Sequence, residues 1–279
     1  MSFEIPKWAN VLKPLVPYLP VDIHPLVKAP LENLSLWTGL AWMETVQSYR
    51  RTILGPFWIT CNLVIFTVAM TYVYGALFSV PTKEYAAYLA CGMIAWTWIG
   101  ALVNEVGNTF MTYSGFIKNT PMPKSIFIWT TVYKQIIIMA HNLIVFVGLA
   151  LVGVIDLTIH TLMLVPVLVV MFAISVPITG VLALLFARYR DLPRLVSSLM
   201  TVLMLITPIF WQAHMFNGWR TIIFLVNPVY YLIEFLRAPL LGQPERPLVV
   251  FVVFGLLAFV WVMGARFYNR YEKYVVFWI

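Results

Sequence analysis

The side chains best suited to binding in this sequence are hydroxyls and aromatic rings at helical spacing. Five of them share one face of a helix because their positions differ by seven, four, three and four: Thr60, Thr67, Thr71, Tyr74 and Phe78. Hydroxyls hydrogen-bond to sugars and rings stack on their C–H faces, so this face suits the lining of a channel for a glycan. Threonines also mediate close packing between membrane helices, and rings mark membrane interfaces, so the structural interpretation stays open. Trp96 and Phe210 allow the same two interpretations.

Motifs for catalysis are missing from the sequence. It contains no GxxxxGK[ST] phosphate loop, no HExxH, no GxSxG and no pair of aspartates suited to magnesium. Cys61 and Cys91 lie in apolar runs without the spacing of metal ligands. We therefore predict no catalytic residue, no metal site and no cofactor in this chain, and energy for any transport must come from elsewhere.

Ionisable residues are nearly absent from the apolar segments, which argues against a carrier driven by protons or sodium ions. Glu105 and Lys134 fall near segment ends, where both reach the interface. His141 and Asn142 lie deeper. We expect this pair to hydrogen-bond a neighbouring helix, and a contact with a substrate phosphate is the alternative.

Composition places these side chains in a membrane. Hydrophobic residues make up 62% of the 279 residues and charged residues 10%, so the bilayer must be the solvent for most of the chain. The net charge of +7 does not indicate nucleic acid, because the basic residues lie between apolar segments. The sequence predicts an all-α integral membrane protein with six transmembrane helices, from the charge-free segments 58–78, 85–104, 135–155, 157–187, 195–221 and 248–265.

The distribution of lysine and arginine predicts the orientation. Six spans put both termini on one side, and 14 of the 18 basic residues fall on that side. The other side carries the remaining four: Lys83, Arg220, Arg237 and Arg246. Both termini are therefore predicted to be cytoplasmic.

Three segments do not fit a plain bundle of six helices. Residues 32–51 predict an amphipathic helix lying along the membrane, so we divide the chain into a cytoplasmic segment 1–57, a transmembrane domain 58–266 and a cytoplasmic tail 267–279. Residues 106–124 form either a short helix that reaches a partner or a basic loop on lipid headgroups. Residues 214–247 predict a re-entrant outer hairpin, because their apolar run is too short to span and is interrupted by Asn227 and Pro228. Asp191, between Arg190 and Arg194, is expected to form a salt bridge.

Four stretches together resemble the permease subunits of ABC type 2 exporters for O-antigen, capsular polysaccharide or teichoic acid. They are Tyr-Arg-Arg-Thr-Ile-Leu-Gly-Pro-Phe-Trp at 49–58, Arg-Tyr-Arg-Asp-Leu at 188–192, Thr-Pro-Ile-Phe at 207–210 and Asn-Pro-Val-Tyr at 227–230. The last leads to Glu234, Arg237 and a Leu-Gly pair at 241–242. Their order and spacing cover nearly the whole chain.

The resemblance implies a homodimer in the bacterial inner membrane that encloses a channel for a glycan on undecaprenyl diphosphate. Two copies of a cytoplasmic ATPase subunit would bind ATP and Mg. The resemblance implies contact with that ATPase for Glu44, Arg50, Arg51, Ser114, Phe116, Lys118 and Lys124. It implies an outer gate formed by Trp219, Asn227, Pro228, Tyr230, Tyr231, Glu234 and Arg237. Arg50 and Arg51 either attract the phosphates of the carrier or only anchor the helix.

The fold alone does not identify the substrate, because exporters of drugs or small lipids share the plan of six spans. The Arg-Arg-Thr entry and the aromatic tail at 268–278 favour the polysaccharide branch. A transferase acting on polyprenyl phosphates is a further alternative, although the predicted inner loops offer it few carboxylates. A channel without an energy source would need no contact with an ATPase.

Overall fold

The computed structural model describes residues 24–107 and 109–279, so the first 23 residues of the predicted cytoplasmic segment lie outside it. Within these ranges all regular structure is helical. The α-helices are α1 (His24–Glu32), α2 (Leu34–Ser48), α3 (Phe57–Phe78), α4 (Thr82–Val106), α5 (Thr109–Thr112), α6 (Ser114–Asn119), α7 (Ser125–Leu151), α8 (Leu164–Arg188), α9 (Leu192–Ile206), α10 (Ile222–Leu225), α11 (Pro228–Leu240), α12 (Pro247–Tyr271) and α13 (Val275–Trp278). Short 3₁₀ turns precede α8 and α10 and follow α12.

Five helices of the described chain are long and apolar enough to cross a membrane: α3, α4, α7, α8 and α12, the last two with their adjoining 3₁₀ turns. This confirms the all-α membrane fold. The predicted fifth span is a helix of only 15 residues, α9, about 22 Å long against the roughly 30 Å of a hydrocarbon core. It ends at Ile206 because proline at 208 disfavours a helical conformation at Thr207, whose backbone is extended.

The third span begins earlier than the predicted residue 135. Helix α7 starts at Ser125, so Lys134 is its tenth residue rather than near its first. Lys134 is tolerated there because Glu44 and Glu105 lie 3.5 and 3.4 Å from its ammonium group. A count of charge-free residues therefore misplaces the end of a helix when a charged residue inside the helix pairs with residues distant in sequence.

Helix α4 is the centre of the bundle and packs against α3, α7, α8, α9 and α11. In its apolar stretch 67% of the residues are buried, against 22% in both α3 and α12. Several buried residues of α4 are small and permit the close approach of the neighbouring helices: Ala87, Ala90, Cys91, Gly92 and Ala95. Polar groups facing α4 are therefore inside the protein rather than in lipid.

Helices α3 and α9 present apolar side chains outward. In α9 Leu195, Leu199, Val202 and Leu205 are exposed and Met200 is the buried residue. In α3 the exposed set is Ile65, Val68, Tyr72, Val73 and Leu77. Such surfaces require lipid or a second protein surface against them.

The predicted interfacial helix at 32–51 corresponds to α2, which begins at Leu34 and ends at Ser48, and a separate helix α1 precedes it. Helix α2 packs on α7 through four buried residues: Leu34, Trp37, Ala41 and Thr45. Its other side exposes Trp42, Met43 and Val46. The exposed rings and aliphatic chains suit a helix lying in the membrane interface.

The salt bridge expected for Asp191 is not formed. In the part of the chain that the structure describes, the ion pairs within 4 Å involve Lys134 and Arg237, not Asp191. Asp191 instead precedes α9, and its carbonyl accepts hydrogen bonds from the N–H groups of Arg194 and Leu195. A carboxylate at this position is stabilised by the positive end of the helix dipole.

Candidate functional site

The predicted break at Asn227 and Pro228 is present. Residues 218–225 and 228–240 form two helical pieces bent by 84°. The side chain of Asn227 accepts a hydrogen bond from the N–H of Val229 at 2.9 Å and donates one to the hydroxyl of Thr207 at 2.8 Å. Asn227 thus caps α11 and ties the hairpin, defined as residues 218–240, to the end of α9.

Arg237 is the largest polar side chain in the described core, with an exposed fraction of 2%. Its guanidinium donates to Glu234 at 2.5 Å, to the hydroxyl of Tyr88 at 2.8 Å and to the carbonyl of Pro208 at 2.7 Å. Its Cζ lies 4.0 Å from the ring centroid of Tyr88. This Arg237 network joins the hairpin, α4 and the segment after α9.

The network lies deep in the bundle. Gly92, the eleventh residue of the 25-residue α4, makes room for the guanidinium, because a Cβ there would collide with Nη2 and lie 3.1 Å from Cζ. Arg237 was counted among the residues of the outer side, which stays a prediction, and its burial was not predicted from the sequence. A buried arginine is retained when an anion and several acceptors surround it.

Of the other predicted gate residues, Tyr230 and Tyr231 are buried and their ring centroids lie 5.2 Å apart. Tyr230 also meets Phe224 of α10 at 5.1 Å, which closes the bend with aromatic contacts. Trp219 and Pro228 are exposed. The structure therefore gathers most of the predicted set around the hairpin, and their gating role stays a prediction.

The predicted hydroxyl and aromatic face of α3 exists, and it points toward other helices of the same chain. Thr67 and Thr71 are buried, and the Thr60 hydroxyl donates to the carbonyl of His141 at 2.9 Å. Tyr74 stacks on Phe210 with centroids 6.1 Å apart. Close helix packing accounts for these contacts. A channel-lining role for this face, and for the stacked Phe78 and the buried Trp96, stays a prediction.

Asn142 hydrogen-bonds a neighbouring helix, as expected, whereas the ring of His141 hydrogen-bonds within its own helix. The amide of Asn142 donates to the Thr97 hydroxyl on α4 at 2.9 Å. The Nδ1 atom of His141 lies 2.8 Å from the carbonyl oxygen of Ile137.

A second polar cluster lies at the C-terminal end of α4, the predicted cytoplasmic end. The ammonium of Lys134 pairs with Glu44 and Glu105, and Gln135 donates to Glu105 at 2.8 Å. Tyr113, just before α6, donates to Glu44. This Lys134 cluster joins α2, α4, α7 and the 106–124 loop. From the sequence, Glu44 was predicted to contact the ATPase, and Glu105 and Lys134 were placed near segment ends, but their pairing was not predicted.

Burial and the carboxylates of the Lys134 cluster raise the pKa of two tyrosines, Tyr49 after α2 and Tyr113 before α6. The pKa of Tyr49 is raised by its burial and by the negative charge of Glu105. The pKa of Tyr113 is raised well above its usual range by burial and by its hydrogen bond to Glu44. Both phenols stay protonated at neutral pH, so Tyr113 remains a donor to Glu44.

The 106–124 loop contains a short helix, α6, so the helical alternative is the one observed. Tyr113 stacks on Phe127 with centroids 4.5 Å apart, and Ile117 is buried, which fixes α6 to the bundle. Phe116 and Lys118 point away and are exposed, Phe116 by 53%. Beside them a cleft of about 730 Å³ reaches Glu44 and Lys134.

The remaining predicted coupling residues lie apart from this cleft. Arg50 and Arg51 are exposed after α2, and Arg51 has a φ of 68°, a conformation that non-glycine residues seldom adopt. Ser114 and Lys124 are half-buried at α6 and before α7. In the ranges that the structure describes, no group of three His, Cys, Asp or Glu residues could hold a metal ion.

Comparison with known proteins gives two related matches. Each is an O-antigen export system permease protein RfbA of Klebsiella pneumoniae, and they are 21% and 22% identical to this chain over 188 residues. The matches cover 66% of this chain and 72% of each relative. The predicted resemblance is confirmed. No family model matches the chain.

The chain is thus a multi-pass, all-α membrane protein similar to export permeases. Two polar clusters pack on α4, the Arg237 network in the first half of the helix and the Lys134 cluster at its C-terminal end.

Proposed function

We propose that this chain is the membrane subunit of an ATP-driven ABC exporter that moves an undecaprenyl-diphosphate-linked polysaccharide across the bacterial inner membrane. The similarity to O-antigen export permeases carries this proposal. The chain contributes the path, with both termini in the cytoplasm, and a separate ATPase subunit binds and hydrolyses ATP with Mg.

The ATPase docks on the exposed side of α6. Phe116 offers an apolar anchor and Lys118 a charge, whereas Tyr113 and Ile117 transmit force to the bundle because they are packed into it. Tyr113 bonds to Glu44, whose carboxylate pairs with Lys134, so displacement of α6 pulls on α2 and α7. Arg50, Arg51, Ser114 and Lys124 border the same end of the bundle.

Two copies of the chain form the channel. Helices α3 and α9 supply the apolar surfaces that a second copy would cover. The hairpin closes the path on the outer side, with the Arg237 network as its attachment to α4. Channel lining by Thr60, Thr67, Thr71 and Tyr74 requires helices that separate when the exporter opens, because in a single copy this face is packed.

Deletion of the gene tests the substrate. We expect lipid-linked glycan to accumulate on the cytoplasmic side and surface glycan to disappear, and both to recover when the gene is returned. Normal surface glycan in the deletion strain would refute the assignment. Loss of drug resistance without a change in glycan would point to the drug-exporter alternative.

Substitution at α6 tests the coupling. Phe116→Ala with Lys118→Ala should abolish co-purification of the ATPase and leave the unfolding temperature unchanged, because both side chains are exposed. Met111→Ala is the matched control, an exposed apolar residue on the neighbouring α5. Undiminished ATPase association in the double variant would contradict this docking site.

A further inference from the structure

A groove of about 510 Å³ runs between α8 and α12 on the surface of the bundle. Its walls are mostly apolar, and Arg266 and Arg270 also line it. The apolar walls include Ile178, Val181, Leu182, Phe259, Val260 and Met263. The two helices touch where Gly264 faces Pro177, since a Cβ on Gly264 would lie 3.0 Å from the Cβ of Pro177. Both helices belong to candidate membrane spans, so the groove opens toward lipid.

The groove continues into a second cavity of about 550 Å³ toward the ends of α8 and α12. The two cavities share Phe267 and Tyr271, so they adjoin one another. The second ends among Arg188, Tyr189 and Trp278. An apolar channel therefore leads to a basic and aromatic end.

The length of the path fits one leaflet. Pro177 and Arg188 are eleven residues apart on α8, about 16 Å at 1.5 Å per residue. Half of a hydrocarbon core is about 15 Å. A hydrocarbon chain in the groove would therefore end near the midplane while its headgroup lies at the arginines.

The basic end is suited to a phosphate. The Cζ of Arg188 lies 5.6 Å from the ring centroid of Trp278, and that of Arg270 lies 5.8 Å from the ring of Tyr271. Both arginines are exposed, and stacked guanidinium groups keep their N–H edges free for phosphate oxygens. The described residues that line the two cavities include no Asp or Glu. Charge complementarity therefore favours an anionic headgroup over a zwitterionic one.

We propose that the groove between α8 and α12 is a binding site for an anionic glycerophospholipid of the cytoplasmic leaflet. One acyl chain lies along Val181 and Met263, and the phosphate lies at Arg188 and Arg270. Only the assignment to the cytoplasmic leaflet rests on the proposed function, through its orientation. The bound lipid stabilises the contact of α8 with α12, and it is not the exported substrate.

Native mass spectrometry of the full-length protein tests this site without an ATPase or a glycan. The protein is released from bilayers of equal parts phosphatidylglycerol and phosphatidylcholine, and we expect phosphatidylglycerol to be retained. Arg188→Gln with Arg270→Gln should weaken this binding about 30-fold, roughly fivefold for each basic residue near an anionic headgroup. Arg246→Gln, at the opposite end of α12, should leave the binding unchanged.

A second pair of variants tests the groove itself. Met263→Trp should fill it and lower retention of phosphatidylglycerol, whereas Val262→Trp, at an exposed position outside the groove lining, should not. Equal retention of phosphatidylcholine, unchanged binding after loss of both arginines, or preference for a polyprenyl diphosphate would overturn the proposal. None of these outcomes depends on whether the protein exports a polysaccharide.

Discussion

Two polar clusters pack against α4, and they differ in their exposure to solvent. In the Arg237 network the ion pair is nearly dry, with side-chain exposed fractions of 2% and 17% for Arg237 and Glu234. In the Lys134 cluster the exposed fractions are 24%, 27% and 36% for Lys134, Glu44 and Glu105. Rupture of a buried pair costs several kcal/mol, whereas a half-exposed pair exchanges partners with water at little cost. The first cluster is therefore suited to hold an element in place, and the second to rearrange when a partner docks.

Glu234→Ala should give the largest loss of stability, and it tests the contrast between the two clusters. It leaves the arginine buried without its anion, and we expect the free energy of unfolding in detergent to fall by about 3–5 kcal/mol. Replacing Glu234 by Leu and Arg237 by Met together should recover much of that loss. A change below 1 kcal/mol for the single variant would mean that the guanidinium is not enclosed.

Gly92→Ala should give the next largest loss of stability. The added methyl collides with the guanidinium, and overpacking of this kind costs about 1–3 kcal/mol in unfolding free energy. Gly100→Ala, on the same helix, is the control, because the nearest atom to its Cβ would be 3.8 Å away. Equal thermal stability of the two variants would contradict the close packing of the Arg237 guanidinium against Gly92.

Lys134→Ala should lower stability by about 1 kcal/mol or less, because solvent screens the two carboxylates that lose their partner. Its main effect should be on the ATPase activity. We expect this chain to stimulate the ATPase less, because the ion pair between Lys134 of α7 and Glu44 of α2 is lost. Unfolding and ATPase assays on one preparation separate the two effects. A loss of stability as large as that of Glu234→Ala would erase the contrast between the clusters.

The smallest expected effect is a pH dependence of stability that comes from Glu245, in the loop before α12. Burial, and then the charge of Glu234, raise the pKa of Glu245 from 4.5 to about 7. Since the folded state holds the proton more tightly than the unfolded chain, stability falls as the pH rises from about 4.5 to about 7. After solvent screening we expect less than about 1 kcal/mol, and Glu245→Gln should flatten the unfolding profile in this interval. An unchanged profile would show that Glu245 is fully hydrated.

Periodicity and breaker residues predicted much of this fold, because they depend on local chemistry. The apolar segments, the bend at Asn227 and the helical face of α3 follow from spacing and from proline. The burial of Arg237 did not follow, since it needs Tyr88, Pro208 and Gly92, which are distant in sequence. The start of α7 was misplaced for the same reason, because Lys134 is neutralised by carboxylates from α2 and α4.

The central claim is that this chain is moved by an ATPase rather than by an ion gradient. Reconstitution of the purified chain in vesicles, with and without its ATPase, measures transfer of a lipid-linked glycan across the bilayer. The account predicts transfer only when the ATPase and hydrolysable ATP are both present, with loss in Phe116→Ala with Lys118→Ala. Transfer by the chain alone, driven by a proton or sodium gradient or by none, would contradict it.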